Sequence, residues 1–238
     1  MTQKIYQKEK LITFKSWSRL IWIENDNSDY DSIEVYNDDA ISYVSPFRSV
    51  ETNTHDEFMD KWKHYDITRV TVINFFSQIK KQNPNFMISL LSSPISIEKN
   101  WLWFLKNKSR LFDTELAYKS FFWACKWLRK EIDKLKDHWN QNKEVGKLYT
   151  HYISMLMGLK SIVLWKLECF PLKKDSEDYN LLFQAKYNYN DDFSNILDEH
   201  IAKIERFITV SIQDWNYKKY SIDKSFIEHY IRSVTFYN

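Results

Sequence analysis

The chain has 238 residues, with 34 Lys and Arg against 32 Asp and Glu, a net charge of +2. So even a balance supplies no global field for holding a nucleic-acid backbone. Two cysteines, Cys125 and Cys169, lie far apart and argue against a disulfide framework or a paired-cysteine zinc site.

Aromatic residues make up 17% of the chain, and glycine occurs only 2 times, which predicts a core of bulky rings. The first ten residues, "MTQKIYQKEK", lack the apolar stretch of a secretory signal. "KLITF" then reads as a short strand. "DYDSIEVY" alternates, with Tyr30, Ser32, Glu34 and Tyr36 on one face and Asp31, Ile33 and Val35 on the other. "HYDITRVTV" gives a third strand, and three short strands with loops between them predict a small sheet.

Helical spacing takes over at Val72, Phe75, Phe76 and Ile79, and "NPN" at 83–85 ends that helix and opens the next turn. Between 113 and 137 one stripe is formed by Ala117, Phe121, Ala124, Cys125, Leu128, Ile132 and Leu135. The lysines from Lys126 to Lys136 interleave with Glu131 and Asp133 and read as a solvated face. Further stripes cover 147–166 and 193–212, and a shorter helix is expected over 222–234. The most apolar run, "YISMLMGLKSIVLW", is broken by Lys160 and falls short of the roughly 20 residues a membrane span needs. The expected setting is the cytoplasm, with no membrane partner. The predicted fold class is α+β: a small mixed sheet with helices over 1–110, followed by a helical bundle over 111–238. Trp17, Trp22, Trp101, Trp103, Trp123, Trp127 and Trp165 are assigned to the core; several exposed together would mark a partner surface instead.

Chemistry concentrates in "WSRLIWIENDNSDYD", residues 17–31. Asp29 and Asp31 are one residue apart, so on an extended segment both carboxylates point to one side. Carboxylates so placed share hard divalent cations. Asp66, opening "DITRVTV", is placed to add a third carboxylate from a neighbouring strand. Such a set suits phosphoryl displacement, where charge neutralisation and positioning carry the catalysis. A solvated acidic turn, with Asp66 as a strand-entry or cap residue, remains the competing reading.

The stretch resembles the signature of nucleotidyltransferases of the DNA polymerase beta superfamily, and more narrowly a poorly characterised bacterial and phage branch. That pattern is a Gly-Ser turn followed about ten residues later by Ser-Asp-x-Asp. Here Trp17-Ser18-Arg19 stands at the turn and Ser28-Asp29-Tyr30-Asp31 at the acidic motif. The likeness extends through "DITRVTVINFFSQIKKQNPNFMISLLSSP", "AYKSFFWACKWL" and "KLYTHYISMLMGLKSI", over roughly 10–205. It implies Asp29, Asp31 and Asp66 as catalytic ligands of Mg2+ or Mn2+. It implies Ser18 and Arg19 at the nucleotide phosphates, and Lys147 and His151 on a bundle helix facing the cleft. The substrates would be a nucleoside triphosphate and a hydroxyl acceptor. Three positions depart from the pattern. Trp17 replaces a glycine that lets backbone approach the triphosphate, Ser154 stands where an arginine is usual, and Trp123 where a small residue is usual. These departures open a second expectation: a catalytically degenerate, phage-type relative that binds a partner or host protein. Two local alternatives also stand, Ser18 as a plain helix cap and His151, between Leu148 and Leu156, as a hydrogen-bonded core histidine.

Overall fold

The computed structural model describes residues 10–15, 30–37, 53–60, 63–99, 101–136, 141–214, 217 and 219–236. The first half contains five strands: β1 (Lys10–Lys15), β2 (Tyr30–Tyr36), β3 (Asn53–Asp60), β4 (Lys63–Thr71) and β5 (Ser96–Ile97). They form one sheet in the order β3-β4-β2-β1-β5. β2 and β4 run parallel, and the other neighbours are antiparallel. One face sends Ile12, Phe14, Ile33, Val35 and Val70 into the core.

The chain passes from β4 directly into helix α1 (Val72–Lys80), where the Thr71 hydroxyl oxygen accepts the Asn74 backbone N–H at 3.4 Å. Pro84 opens α2 (Pro84–Leu90), where its missing N–H is harmless, and Asn83 caps it. Short α3 (Trp101–Lys106) leads to a 3₁₀ turn at Lys108–Leu111. The helical region follows: α4 (Thr114–Lys136), α5 (Asn142–Val163), α6 (Glu177–Tyr187), α7 (Asp191–Gln213) and α8 (Lys224–Phe236). The α+β expectation holds: a mixed sheet with helices, then a helical C-terminal region.

One buried cluster runs from Leu11 to Tyr230. Its centre is aromatic. Phe75 contacts Phe14, Phe86, Trp101 and Phe104, while Tyr230 of α8 reaches back to Phe76, Trp101 and Phe104. The C-terminal helix is therefore a core element, with Phe226, Ile227 and Tyr230 buried. Gln82 adds a polar staple between the two parts. Its backbone sits at φ 51°, in the left-handed region. Its amide donates to the Ile79 and Leu111 carbonyls at 2.8 Å each, and its side-chain oxygen accepts from Asp113 N–H at 3.1 Å. A fully buried polar group is tolerated because each bonding capacity named has a partner.

β1, β2, β4, α1, α4, α5, α7 and α8 lie where the pattern puts them. β3, β5, α3 and α6 were not anticipated, and where a turn was expected after Asn83 the chain forms helix α2. The tryptophan assignment needs correcting. Trp101 is fully buried, but Trp103, Trp123 and Trp127 are 48%, 74% and 57% exposed. Trp123 and Trp127 sit four residues apart on α4, on the side opposite Phe121, Cys125 and Leu128. Their indoles were read as core because of their size, yet the helical phase places them outside the stripe. Trp17 and Trp22 lie outside the described residues.

Candidate functional site

Sheet register assembles the acidic chemistry. Asp31 of β2 pairs with Asp66 of β4, and Asp66 in turn pairs with Glu57 of β3. Directly opposed residues point to the same face, with Cβ atoms about 5 Å apart. Three carboxylates therefore stand in one row across three adjacent strands. His55, two residues before Glu57, shares that face. Its Nδ1 lies 3.2 Å from an Asp66 oxygen and its Nε2 2.9 Å from a Glu57 oxygen. One ligand atom from each of His55, Glu57 and Asp66 lies within 4.8 Å of the other two.

The row sits where the face leaves the core. Further along the same strands Ile33, Val35 and Val70 are buried, whereas Asp31 and Asp66 are half-buried and His55 and Glu57 exposed. The Glu57 hydrogen bond holds the His55 imidazole above its usual pKa. Slight desolvation opposes this, and the Asp66 charge adds to it. Oxygen donors beside one ring nitrogen suit a divalent cation.

The opposite face carries a different polar group. The buried Glu34 carboxylate accepts from the Tyr36 hydroxyl at 2.7 Å, from Lys10 Nζ at 3.1 Å and from Arg69 Nε at 3.1 Å. Arg69 also pairs with Asp56. Burial alone would push the Glu34 carboxyl up; the Tyr36, Lys10 and Arg69 contacts outweigh it and hold the carboxyl below its ordinary value. Tyr36, half-buried and bonded to Glu34, is pushed up to about 12. Two cations meet two carboxylates here, so this is a closed structural knot.

Asp29, Ser18 and Arg19 lie outside the described residues. Asp31 and Asp66 are brought together. Lys147 and His151 lie on α5 where it meets α6. At Gly146 a Cβ would come within 2.1 Å of the Ala185 carbonyl oxygen, so only glycine permits that approach. Lys147 pairs with Glu144 at 3.2 Å. His151 is half-buried, and desolvation, followed by the Lys186 and Lys147 charges, pulls its pKa down to about 4. It is therefore neutral at physiological pH. Ser154, at the position of the expected arginine, is buried and donates to the Thr150 carbonyl at 2.7 Å.

His55 and Glu57 were missed. The signal was "NTHDEFMD", in which residues of the same alternate set, His55 and Glu57, could have been read against Asp66. The run carries polar residues on both faces, so it lacks the apolar alternation that marks a strand.

No family model matches the chain. No curated protein matches it either. Among solved structures it is similar to a nucleotidyltransferase-like protein from Exiguobacterium sibiricum 255-15. The identity is 13%, over 89% of this chain and 72% of that one, with a TM-score of 0.33. No residue role is taken from so loose a likeness. Among the described residues, no helix is long and apolar enough to cross a membrane.

Proposed function

We propose that this protein is a metal-dependent nucleotidyltransferase, moving a nucleoside monophosphate from a nucleoside triphosphate to a hydroxyl acceptor. The observation that carries this reading is the register pairing of Asp31 with Asp66 on parallel strands, at the partly exposed end of an otherwise buried face. Asp31 and Asp66 would hold a divalent cation, and the acidic motif offers Asp29, two residues earlier in the sequence, as a further ligand. When bound, that ion neutralises charge on the triphosphate. The acceptor oxygen bonds to the α-phosphorus, the bond from the α-phosphorus to the bridging oxygen breaks, and pyrophosphate leaves with the electron pair. The hydroxyl proton passes to solvent. The rigid sheet fixes the spacing of the two carboxylates, so little reorganisation is needed during the reaction.

The test is incubation with labelled ATP, CTP, GTP and UTP, Mg2+ or Mn2+, and cell extract as the source of acceptor. Label transfer that disappears in Asp31→Ala and Asp66→Ala supports the reading; no nucleotide binding by calorimetry under any of these conditions overturns it. A second reading, a partner-binding protein on a nucleotidyltransferase-like scaffold, draws support from the exposed Trp123 and Trp127. The calorimetric failure would favour it.

A further inference from the structure

The carboxylate row has a neighbour that an oxygen-only site would not need. On edge strand β3, His55 turns one ring nitrogen to Asp66 and the other to Glu57. We propose that His55 is the nitrogen ligand of a divalent cation held by Asp66, that Glu57 orients its ring, and that the site therefore prefers Mn2+ to Mg2+. This rests on the nucleotidyltransferase reading for Asp31 and Asp66 but assigns residues that reading does not use.

Three features carry it. The first is spacing. Two ligand atoms bound at right angles to one ion, each at roughly 2.1 Å, stand about 3 Å apart. His55 Nδ1 and Asp66 Oδ1 are 3.2 Å apart. An ion entering between them needs only small side-chain adjustments.

The second is the outer partner. A histidine that ligates a metal usually donates its other ring N–H to a carboxylate or carbonyl, which fixes the tautomer and makes the ligating nitrogen more basic. Glu57 lies 2.9 Å from Nε2 and fills that place. The third is delivery by the backbone. Glu57 is the register partner of Asp66, and His55 lies one alternate position along the same strand. Both side chains are therefore held on the carboxylate face by sheet pairing.

The donor set determines the preference. Mg2+ favours carboxylate and water oxygens in strict octahedral geometry, while imidazole nitrogen adds affinity for transition metals. The experiment titrates the full chain with Mn2+ and with Mg2+ by calorimetry, and records pulsed EPR spectra of the Mn2+-loaded protein. The variants are His55→Ala, Glu57→Ala and Asp66→Ala, with circular dichroism confirming that each is folded.

The expected result is a histidine nitrogen coupling on Mn2+ that is lost in His55→Ala. Mn2+ affinity should fall about tenfold or more in His55→Ala and about tenfold in Glu57→Ala. Mg2+ affinity should change by less than about twofold in His55→Ala. Absence of a nitrogen coupling in the native protein, or equal Mn2+ affinity in native and His55→Ala protein, overturns the proposal. The two readings fail differently. Label transfer that needs Asp31 and Asp66 but is indifferent to His55, with no nitrogen coupling, leaves the enzyme and removes this inference. A nitrogen-coupled Mn2+ site without any transfer does the reverse.

Discussion

The two faces of the sheet are built from alternate residues of the same strands, and they handle charge in opposite ways. On one face Glu34 and Asp56 are matched by Lys10 and Arg69. Glu34 and Arg69 are nearly enclosed, with side chains 10% and 11% exposed. On the other face Asp31, Asp66 and Glu57 stand in register, and His55 bridges Asp66 and Glu57. Buried charge must be compensated within the protein because desolvation is otherwise too costly. A half-exposed acidic row can instead recruit its counter-charge from solution. Adjacent residues such as Asp56 and Glu57 thus belong to a closed structural group or an open chemical one according to parity alone.

That contrast breaks most directly at Asp66. Asp66→Ala is expected to lower label transfer on the order of 10³-fold, the scale of losing one preorganised electrostatic group. The melting temperature should stay within a few degrees of the native value, since exposed or half-exposed sites contribute little. A severe loss of stability with intact transfer would make the row structural. Arg69→Met tests the other face. It leaves Glu34 and Asp56 without their shared cation, and removing one partner of a buried pair costs about 3 kcal/mol. For a chain of this length that is a fall of roughly 6–12 °C in Tm, read by calorimetric melting. A smaller drop would mean that water already reaches the knot.

How far the sequence revealed this arrangement varies by strand. β2 is legible because Ile33 and Val35 alternate with polar residues, which puts Asp31 on their side; in β4, Ile67 and Val70 lie three apart on opposite faces, so the run marks a strand without showing which way Asp66 points. β3 was not legible. Asn, Asp and Glu are poor strand formers, and an edge strand with polar residues on both faces leaves no apolar trace. His55 and Glu57, which stand beside Asp66, were hidden for that reason. Register is also a long-range property: which residue of β3 faces Asp66 depends on pairing that no local window contains. In α6, Leu181, Leu182 and Phe183 are consecutive, so the run has no helical stripe to read. The Lys147 and His151 expectations came from resemblance alone, and they fall at the α5–α6 contact.

Acid sharpens the same comparison with a smaller effect. Glu34 is held below its unfolded value of 4.5. A group with a depressed folded pKa contributes stability above its unfolded pKa and loses it as pH falls through the folded one. The native protein should therefore lose stability from about pH 4.5 downward. Glu34→Gln, less stable at neutral pH, should lose less over that interval, because glutamine does not titrate. The readout is the difference between the two melting curves as a function of pH. Two parallel curves would show that the knot does not hold Glu34 ionised.

The smallest effect belongs to the surface whose tryptophans were assigned to the core. On α4, Trp123 is 74% exposed, with the Lys126 ammonium 5.9 Å from its ring. Trp127 is 57% exposed one turn on. An exposed cation–ring contact is worth about 0.5–1 kcal/mol, and surface substitutions away from the core generally stay within about 0.5 kcal/mol. Trp123→Ala and Trp127→Ala should each move Tm by no more than about 4 °C and leave label transfer unchanged. A drop of core size, several kcal/mol per ring, would place these indoles against apolar surface after all. Stability preserved in both variants would leave two large rings that neither fold the protein nor serve the carboxylate row, and that is the pattern of a surface kept for contact with something else.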